Sequence, residues 1–156
     1  MIFQIAGILT PDQVADIRLR LDRNDARFAS GKATAGWYVK DIKHNDQATG
    51  AAADAVIAEV KQALFAHTAF RSIARPKDFV KVLASRYRPG MSYGTHVDDA
   101  LMAGKRTDMS FTLFLAEPET YEGGELVIEG NDGDNVVKLP AGSLVLYPTT
   151  SLHRVN

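Results

Sequence analysis

The sequence has 156 residues, of which 46% are hydrophobic and 24% charged, and 18 Lys plus Arg against 19 Asp plus Glu give a formal net charge of -1. This is ordinary globular composition, long enough for one domain with a real core, and it offers neither the basic excess that recruits nucleic acid nor an acidic solvating tail. The absence of cysteine excludes disulfides, iron–sulfur clusters and thiolate zinc sites, and no segment has the pattern of a secretory signal or a membrane span, so a cytoplasmic protein without nucleic-acid or membrane partners is expected.

Ile2 to Ile8 is a short apolar stretch that predicts an edge strand. Thr10-Pro11-Asp12-Gln13 reads as a helix start, with Thr10 as cap, Pro11 in the first helical position and Gln13 closing a capping box. Val14, Ile17 and Leu21 then share a helical stripe from which Leu19 departs. Residues 22–35 are polar and small, and Trp37 to Ile42 predicts a strand. A second helix is expected from Thr49 to Ala66, with Ala52, Val56, Val60, Ala63 and Leu64 near one face.

Beyond Pro76 the pattern changes to strands. Phe79 to Tyr87 is β-rich, Arg88-Pro89-Gly90-Met91 is a turn, and Tyr93 to Asp98 reads as extended. Thr107 to Leu115, Glu125 to Glu129, Asn135 to Leu139 and Ser143 to Tyr147 follow as strands. Glu122-Gly123-Gly124, Asn131-Asp132-Gly133-Asp134 and Pro140-Ala141-Gly142 punctuate them. Two helices followed by many short strands predict an α+β fold: a single domain over 1–156, with helical support in 1–75 and a double-sheet jelly roll in 76–156.

The residues that carry chemistry begin with His96-Val97-Asp98. In an extended chain alternate side chains share a face, with Cα atoms roughly 6.5–7 Å apart, so His96 and Asp98 can converge on one ion. A third ligand must come from elsewhere, and His153, beyond the strand Ser143–Tyr147, is the natural candidate. Two His and one carboxylate form the facial triad of ferrous oxygenases, which leaves open positions for a bidentate 2-oxo acid and dioxygen. Taken singly, His96 reads equally as a hydrogen-bonded strand histidine, Asp98 as a turn residue and His153 as a surface histidine. His44 and His67 have no carboxylate at ligand spacing and read as ordinary polar residues.

The run from Arg86 to Asp98, RYRPGMSYGTHVD, resembles the metal-binding segment of prolyl-4-hydroxylase-like 2-oxoglutarate dioxygenases. Arg106 to Leu115, Tyr121 to Leu126, Leu139 to Gly142, Leu146 to Pro148, Ser151 to His153 and the opening Ile8 to Pro11 continue the likeness in order. Together they are similar to the bacterial PKHD-type hydroxylases over nearly the whole chain. The resemblance implies a double-stranded β-helix, His96, Asp98 and His153 as ligands of Fe(2+), 2-oxoglutarate as cosubstrate and L-ascorbate as reductant. Tyr87 matches a position that contacts 2-oxoglutarate in related enzymes, and it reads as well as a core aromatic with its hydroxyl paired. Arg106 can orient a carboxylate or act as a structural partner of Asp108.

In that family the chain continues past the distal His into a strand whose basic residue pairs with the far carboxylate of 2-oxoglutarate. Here the sequence stops at Asn156, and Arg154, adjacent to His153, faces the other way. A fold incomplete at its C-terminus is therefore expected, either as a fragment of a longer protein or as a truncated form with impaired cosubstrate binding, and with an exposed sheet edge unless a homo-oligomer covers it. The expected activity is hydroxylation of an unactivated carbon on a small-molecule or peptidyl substrate, its entrance shaped by residues 27–48 and 99–106. The alternative is a cupin-like module that holds a metal or small ligand without turnover. A metal-dependent hydrolase lacks an obvious extra general base beside the triad.

Overall fold

A computed structural model describes residues 1–23 and 27–156; residues 24–26, within the polar stretch 22–35, lie outside the described residues. The chain opens with β1 (Phe3–Ile5) and α1 (Pro11–Asp22). The predicted capping box is present: Gln13 N donates to Thr10 Oγ1 at 3.2 Å and Thr10 N donates to Gln13 Oε1 at 2.9 Å. Val14 and Ile17 are buried and Leu19 faces solvent, as the stripe requires. The next strands are β2 (Arg27–Ser30), β3 (Lys43–His44) and β4 (Asp46–Thr49). Two helices follow, α2 (Ala51–Ala66) and α3 (Thr68–Ala74). The alanine-rich α2 needs little side-chain ordering to form, and it buries Ala53, Val56, Val60 and Leu64 along one stripe.

Apart from a 3-10 turn at Pro118–Thr120, the remaining elements are extended. They are β5 (Ser85–Arg86), β6 (Ser92–His96), β7 (Leu101–Met102), β8 (Lys105–Arg106) and β9 (Met109–Leu113). The chain closes with β10 (Leu126–Gly130), β11 (Gly133–Val137), β12 (Leu144–Pro148) and β13 (His153–Val155). Two antiparallel sheets carry the fold, one in the order β1-β12-β9 and one in the order β11-β10-β13-β6-β3. Smaller ladders join β2-β4-β5 and β7-β8. This is the expected α+β arrangement of a jelly roll with helices packed against it.

Strand β12 explains how the layers meet. Its even residues Leu144 and Leu146 belong to a core shared with Ile5, Ile17, Val56, Val60, Leu64 and Phe70, so the helices cover that face. Its odd residues Val145 and Tyr147 belong to a second core with Leu126, Ile128 and Val137 of the facing sheet. The period of two thus divides one strand between a helix layer and the inside of the jelly roll. Strand β9 follows the same division, because Ser110 lies opposite Tyr147 and Phe111 opposite Leu146.

Several expectations need correction. Trp37 to Ile42 is not a strand: Val39 N bonds Gly36 O and Ile42 N bonds Val39 O, so local turns satisfy the backbone and leave Trp37 89% exposed. Of the run Phe79 to Tyr87 only Ser85–Arg86 is ladder-paired, because β propensity without an adjacent strand does not make a sheet. Among the described residues of the first 75, strands β2, β3 and β4 stand beside the helices where no strand was expected. Helix α3 was not anticipated; it is capped by His67, whose Nδ1 accepts from Phe70 N at 3.3 Å.

Gly142 closes the turn before β12 at φ 88°, and its carbonyl accepts from the backbone N–H groups of Ile8 and Leu9. A Cβ there would stand 2.6 Å from Leu9 O. Gly142→Ala is expected to cost about 2–3 kcal/mol, from the left-handed backbone and the close approach together. Urea unfolding of the two proteins measures it.

Candidate metal centre

His96 ends β6 and His153 begins β13, and the two residues are directly paired across the ladder. Asp98 follows two residues after His96, so His96 and Asp98 reach one place from consecutive turns of the pleat. The ligand-type atoms of His96, Asp98 and His153 all lie within 4.8 Å of one another. Asp98 Oδ1 is 3.6 Å from His96 Nε2 and 3.7 Å from His153 Nε2. Cis ligands at metal bonds of about 2.1 Å stand roughly 3 Å apart, so a small inward movement suffices to close the three around an ion.

The hydrogen bonding around the rings supports this use. His96 Nδ1 is 2.7 Å from Gly94 O and His153 Nδ1 is 3.0 Å from Ser151 O. A carbonyl only accepts, so each Nδ1 carries the proton and each Nε2 lone pair faces Asp98. Backbone carbonyls thereby fix both tautomers in the form a metal needs. Ser110 Oγ donates to the other carboxylate oxygen, Asp98 Oδ2, at 2.6 Å, leaving Oδ1 toward the imidazoles. The donor set is two neutral nitrogens and one carboxylate oxygen, which suits a divalent first-row ion such as iron. Removal of the Ser110 hydroxyl is expected to weaken divalent-metal binding about 10–100-fold in Ser110→Ala, since the carboxylate loses its orienting donor. Titration calorimetry with Mn(II) reads this directly.

Burial depresses the pKa of His153 below its ordinary 6.5, and the Ser151 carbonyl and Asp98 offset this only in part. Burial pushes the Asp98 carboxyl up, but its contacts with His96, Ser110 and His153 outweigh this and hold it below 3.8. Below pH 6.5 the unfolded chain therefore takes up a proton at His153 before the folded chain does. The stability that the neutral ring contributes is complete above pH 6.5 and is lost as pH falls toward the depressed folded value. The metal-free protein is expected to melt at a lower temperature at pH 5.5 than at pH 7.5, and His153→Gln to flatten part of that dependence.

Aromatic rings wall the cluster. Tyr93 stacks on His96 with centroids 3.7 Å apart and planes at 18°, and Tyr147 stands 5.1 Å from His153. Tyr93 is three residues from His96, which strict alternation would put on opposite faces. Strand β6 spends three steps where β13 spends two, since His96 pairs with His153 and Tyr93 with Val155. This β-bulge brings Tyr93 and His96 to the same face. Gly94, inside the bulge, sits where a Cβ would be 2.9 Å from Ile42 Cβ.

Of the two residues expected to contact the cosubstrate, Tyr87 is partly buried. Its hydroxyl accepts from Asn45 Nδ2 at 3.0 Å, and burial raises its pKa to about 12 against the lowering effect of that bond. Arg106 is not gathered into the cluster: its side chain is exposed and forks onto Asp108 at 2.8 and 3.3 Å. Arg154 pairs with Asp134 and Glu129. His44 is exposed and His67 caps a helix. Sequence reasoning missed Lys43, Asn45, Tyr93, Ser110 and Tyr38. The alternating polar run Lys43, Asn45, Gln47 was the available signal for the first two, since in an extended chain it marks one polar face.

Residues 82–156 match the family described as the 2OG-Fe(II) oxygenase superfamily. A PKHD-type hydroxylase of Picosynechococcus is 52% identical over 158 aligned residues, covering 100% of this chain and 71% of that protein. One from Maricaulis maris is 46% identical over 99% of this chain and 70% of its own length, and one from Parvibaculum lavamentivorans 50% identical over 99% and 71%. The crystal structure of a Pseudomonas putida prolyl-4-hydroxylase superposes with a TM-score of 0.64 at 24% identity, over 99% of this chain and 84% of that one, which is a likeness of fold. With relatives this similar along its whole length, the chain belongs to the PKHD-type hydroxylases, 2-oxoglutarate-dependent dioxygenases of the 2OG-Fe(II) oxygenase superfamily.

Proposed function

We propose that the chain hydroxylates an unactivated carbon of a small-molecule or peptidyl substrate, with His96, Asp98 and His153 holding Fe(2+) and 2-oxoglutarate as cosubstrate. The observation that carries this is the convergence of two Nε2 atoms, each fixed by a carbonyl on its other nitrogen, upon one oxygen of Asp98. Bound iron with 2-oxoglutarate supplies oxygen activation coupled to decarboxylation, which no side chain in this sequence can perform. L-Ascorbate is the reductant we assign to keep the iron ferrous.

The chain's own residues position and enclose. Ser110 holds Asp98, and the Tyr93 ring restrains His96 from one side. Tyr147 and the second core close the inside of the jelly roll against water. We place the substrate entrance between the segments 27–48 and 99–106. They are tied by Tyr38, whose hydroxyl donates to Asp99 Oδ1 at 2.7 Å, with Trp37 and Leu101 exposed on the two sides.

No helix among the described residues is long and apolar enough to cross a membrane. With no cysteine to protect, a reducing cytoplasm suits the chain, and we propose it acts there without nucleic acid, alone or as a homo-oligomer. Incubation with Fe(2+), 2-oxoglutarate and oxygen is expected to yield succinate, slowly even without the primary substrate. Metal binding with no succinate formed by a chain extended through the strand that follows His153 in the family overturns the reading in favour of a binding module.

A further inference from the structure

His96 ends β6, but Asp98 belongs to no strand: residues 97–100 lie between β6 and β7, outside every ladder among the described residues. Ser110 fixes the carboxylate of Asp98 and does not reach its backbone. The loop is restrained through its neighbours instead. On one side Thr107 donates from its hydroxyl to Asp99 O and from its backbone N–H to Ala100 O, the latter at 2.9 Å. On the other side stands a single side chain from far earlier in the chain. Tyr38 Oη donates to Asp99 Oδ1 at 2.7 Å and lies 3.4 Å from Val97 O, so it touches the residue on each side of Asp98.

The segment that presents Tyr38 is shaped for this reach. Residues 36–42 form two local turns, closed by Val39 N to Gly36 O at 3.1 Å and Ile42 N to Val39 O at 3.2 Å. Val39 is buried and holds the middle of the segment down. The far end is fastened to β6: Gly94 N donates to Ile42 O at 2.9 Å, and the missing Cβ of Gly94 makes room for the Ile42 side chain. At the near end a Cβ on Gly36 would stand 3.0 Å from Tyr38 Cε1 and 3.7 Å from Asp99 Oδ2, so a glycine lets the ring fold back over the loop. Residues 36–42 are thus a strap from the bulge of β6 to the loop that carries Asp98. The bond to Asp99, more than burial, raises the Tyr38 pKa to about 12, so the donor keeps its proton. Tyr38 and Asp99 are both open to solvent, which makes one such bond modest, but few other contacts restrain this loop.

We propose that Tyr38 is a positioning residue for the metal ligand Asp98, and that the strap at the substrate entrance and the metal centre thereby share one hydrogen bond. This rests on the metal-centre reading given above. Tyr38 acts through the backbone of the loop, so it moves metal affinity less than Ser110, which touches the carboxylate itself.

Mn(II) is titrated into the native chain, Asp99→Ala and Asp99→Asn, each with and without Tyr38→Phe, which keeps the ring and removes only the donor. In the native background Tyr38→Phe is expected to weaken Mn(II) binding about threefold to tenfold. In Asp99→Ala, where the acceptor is already gone, the further loss is expected to stay below about twofold; in Asp99→Asn, which keeps an acceptor oxygen, it returns to about threefold or more. A tyrosine that only packs gives the same loss in all three backgrounds. A loss below about threefold in the native background, or equal losses in Asp99→Ala and Asp99→Asn, overturns the proposal. Failure of the native chain to bind Mn(II) overturns the metal centre instead, and the hold on the loop is then judged without metal. Trp37, the one tryptophan of the sequence, has its ring centroid 6.0 Å from that of Tyr38 and reports on the strap. A fall of its fluorescence anisotropy in Tyr38→Phe supports the hold, and no change overturns it.

Discussion

His153→Ala is expected to lower divalent-metal affinity by on the order of a thousandfold or more and to stop 2-oxoglutarate turnover. The three candidate ligands differ in how replaceable they are. Asp98 and His96 are close in sequence and remain neighbours in any extended chain. His153 arrives on a separate strand, and Asp98 Oδ1 lies between the two rings at 3.6 and 3.7 Å. Without the second imidazole the site is an ordinary histidine–carboxylate pair with no third donor, since no other ligand-type cluster is formed among the described residues. Mn(II) titration followed by electron paramagnetic resonance measures the loss. His44→Ala, at an exposed histidine of β3, is the control and is expected to bind as the native chain does. Affinity within tenfold of native in His153→Ala removes His153 from the ligand set.

Leu144→Ala is expected to destabilise the fold by about 2–5 kcal/mol, read from the shift in urea midpoint at constant slope. Leu144 is fully buried in the middle strand of the β1-β12-β9 sheet, in the core that the sheet shares with α1, α2 and α3. Its truncation leaves a void bounded by two rigid layers, which cannot collapse as a surface site would. Leu19→Ala, at a leucine 58% exposed on α1, is expected to change stability by less than about 0.5 kcal/mol. Similar losses at the two leucines contradict the layer assignment.

Much of this was legible in local chemistry. The capping box at Thr10 and Gln13, the turn at Asn131-Asp132 and the same-face pair His96 and Asp98 all act over a few residues, so their sequence signals are self-contained. What failed depended on partners distant in sequence or on which backbone bonds close nearby. Phe79 to Ala84 has strand composition, yet a strand exists only where a second one lies alongside. Trp37 to Ile42 has the right residue types and folds into turns because its hydrogen bonds close locally. Ser110 is an ordinary serine until the register sets it opposite Tyr147 and against Asp98. Lys43 reads as a surface charge until β3 docks on β6 and encloses it.

The bulge in β6 makes the strand two ribbons of opposite parity. Before it, Tyr93 matches the rhythm of Lys43 on the neighbouring strand; after it, His96 matches His153. Deletion of Thr95 would leave the tyrosine and the histidine two positions apart, which a regular strand sets on one side without any bulge. The shared side therefore depends on the irregularity absorbing the extra residue: a strand of the same length that ran regularly from Tyr93 to His96 would part the two rings.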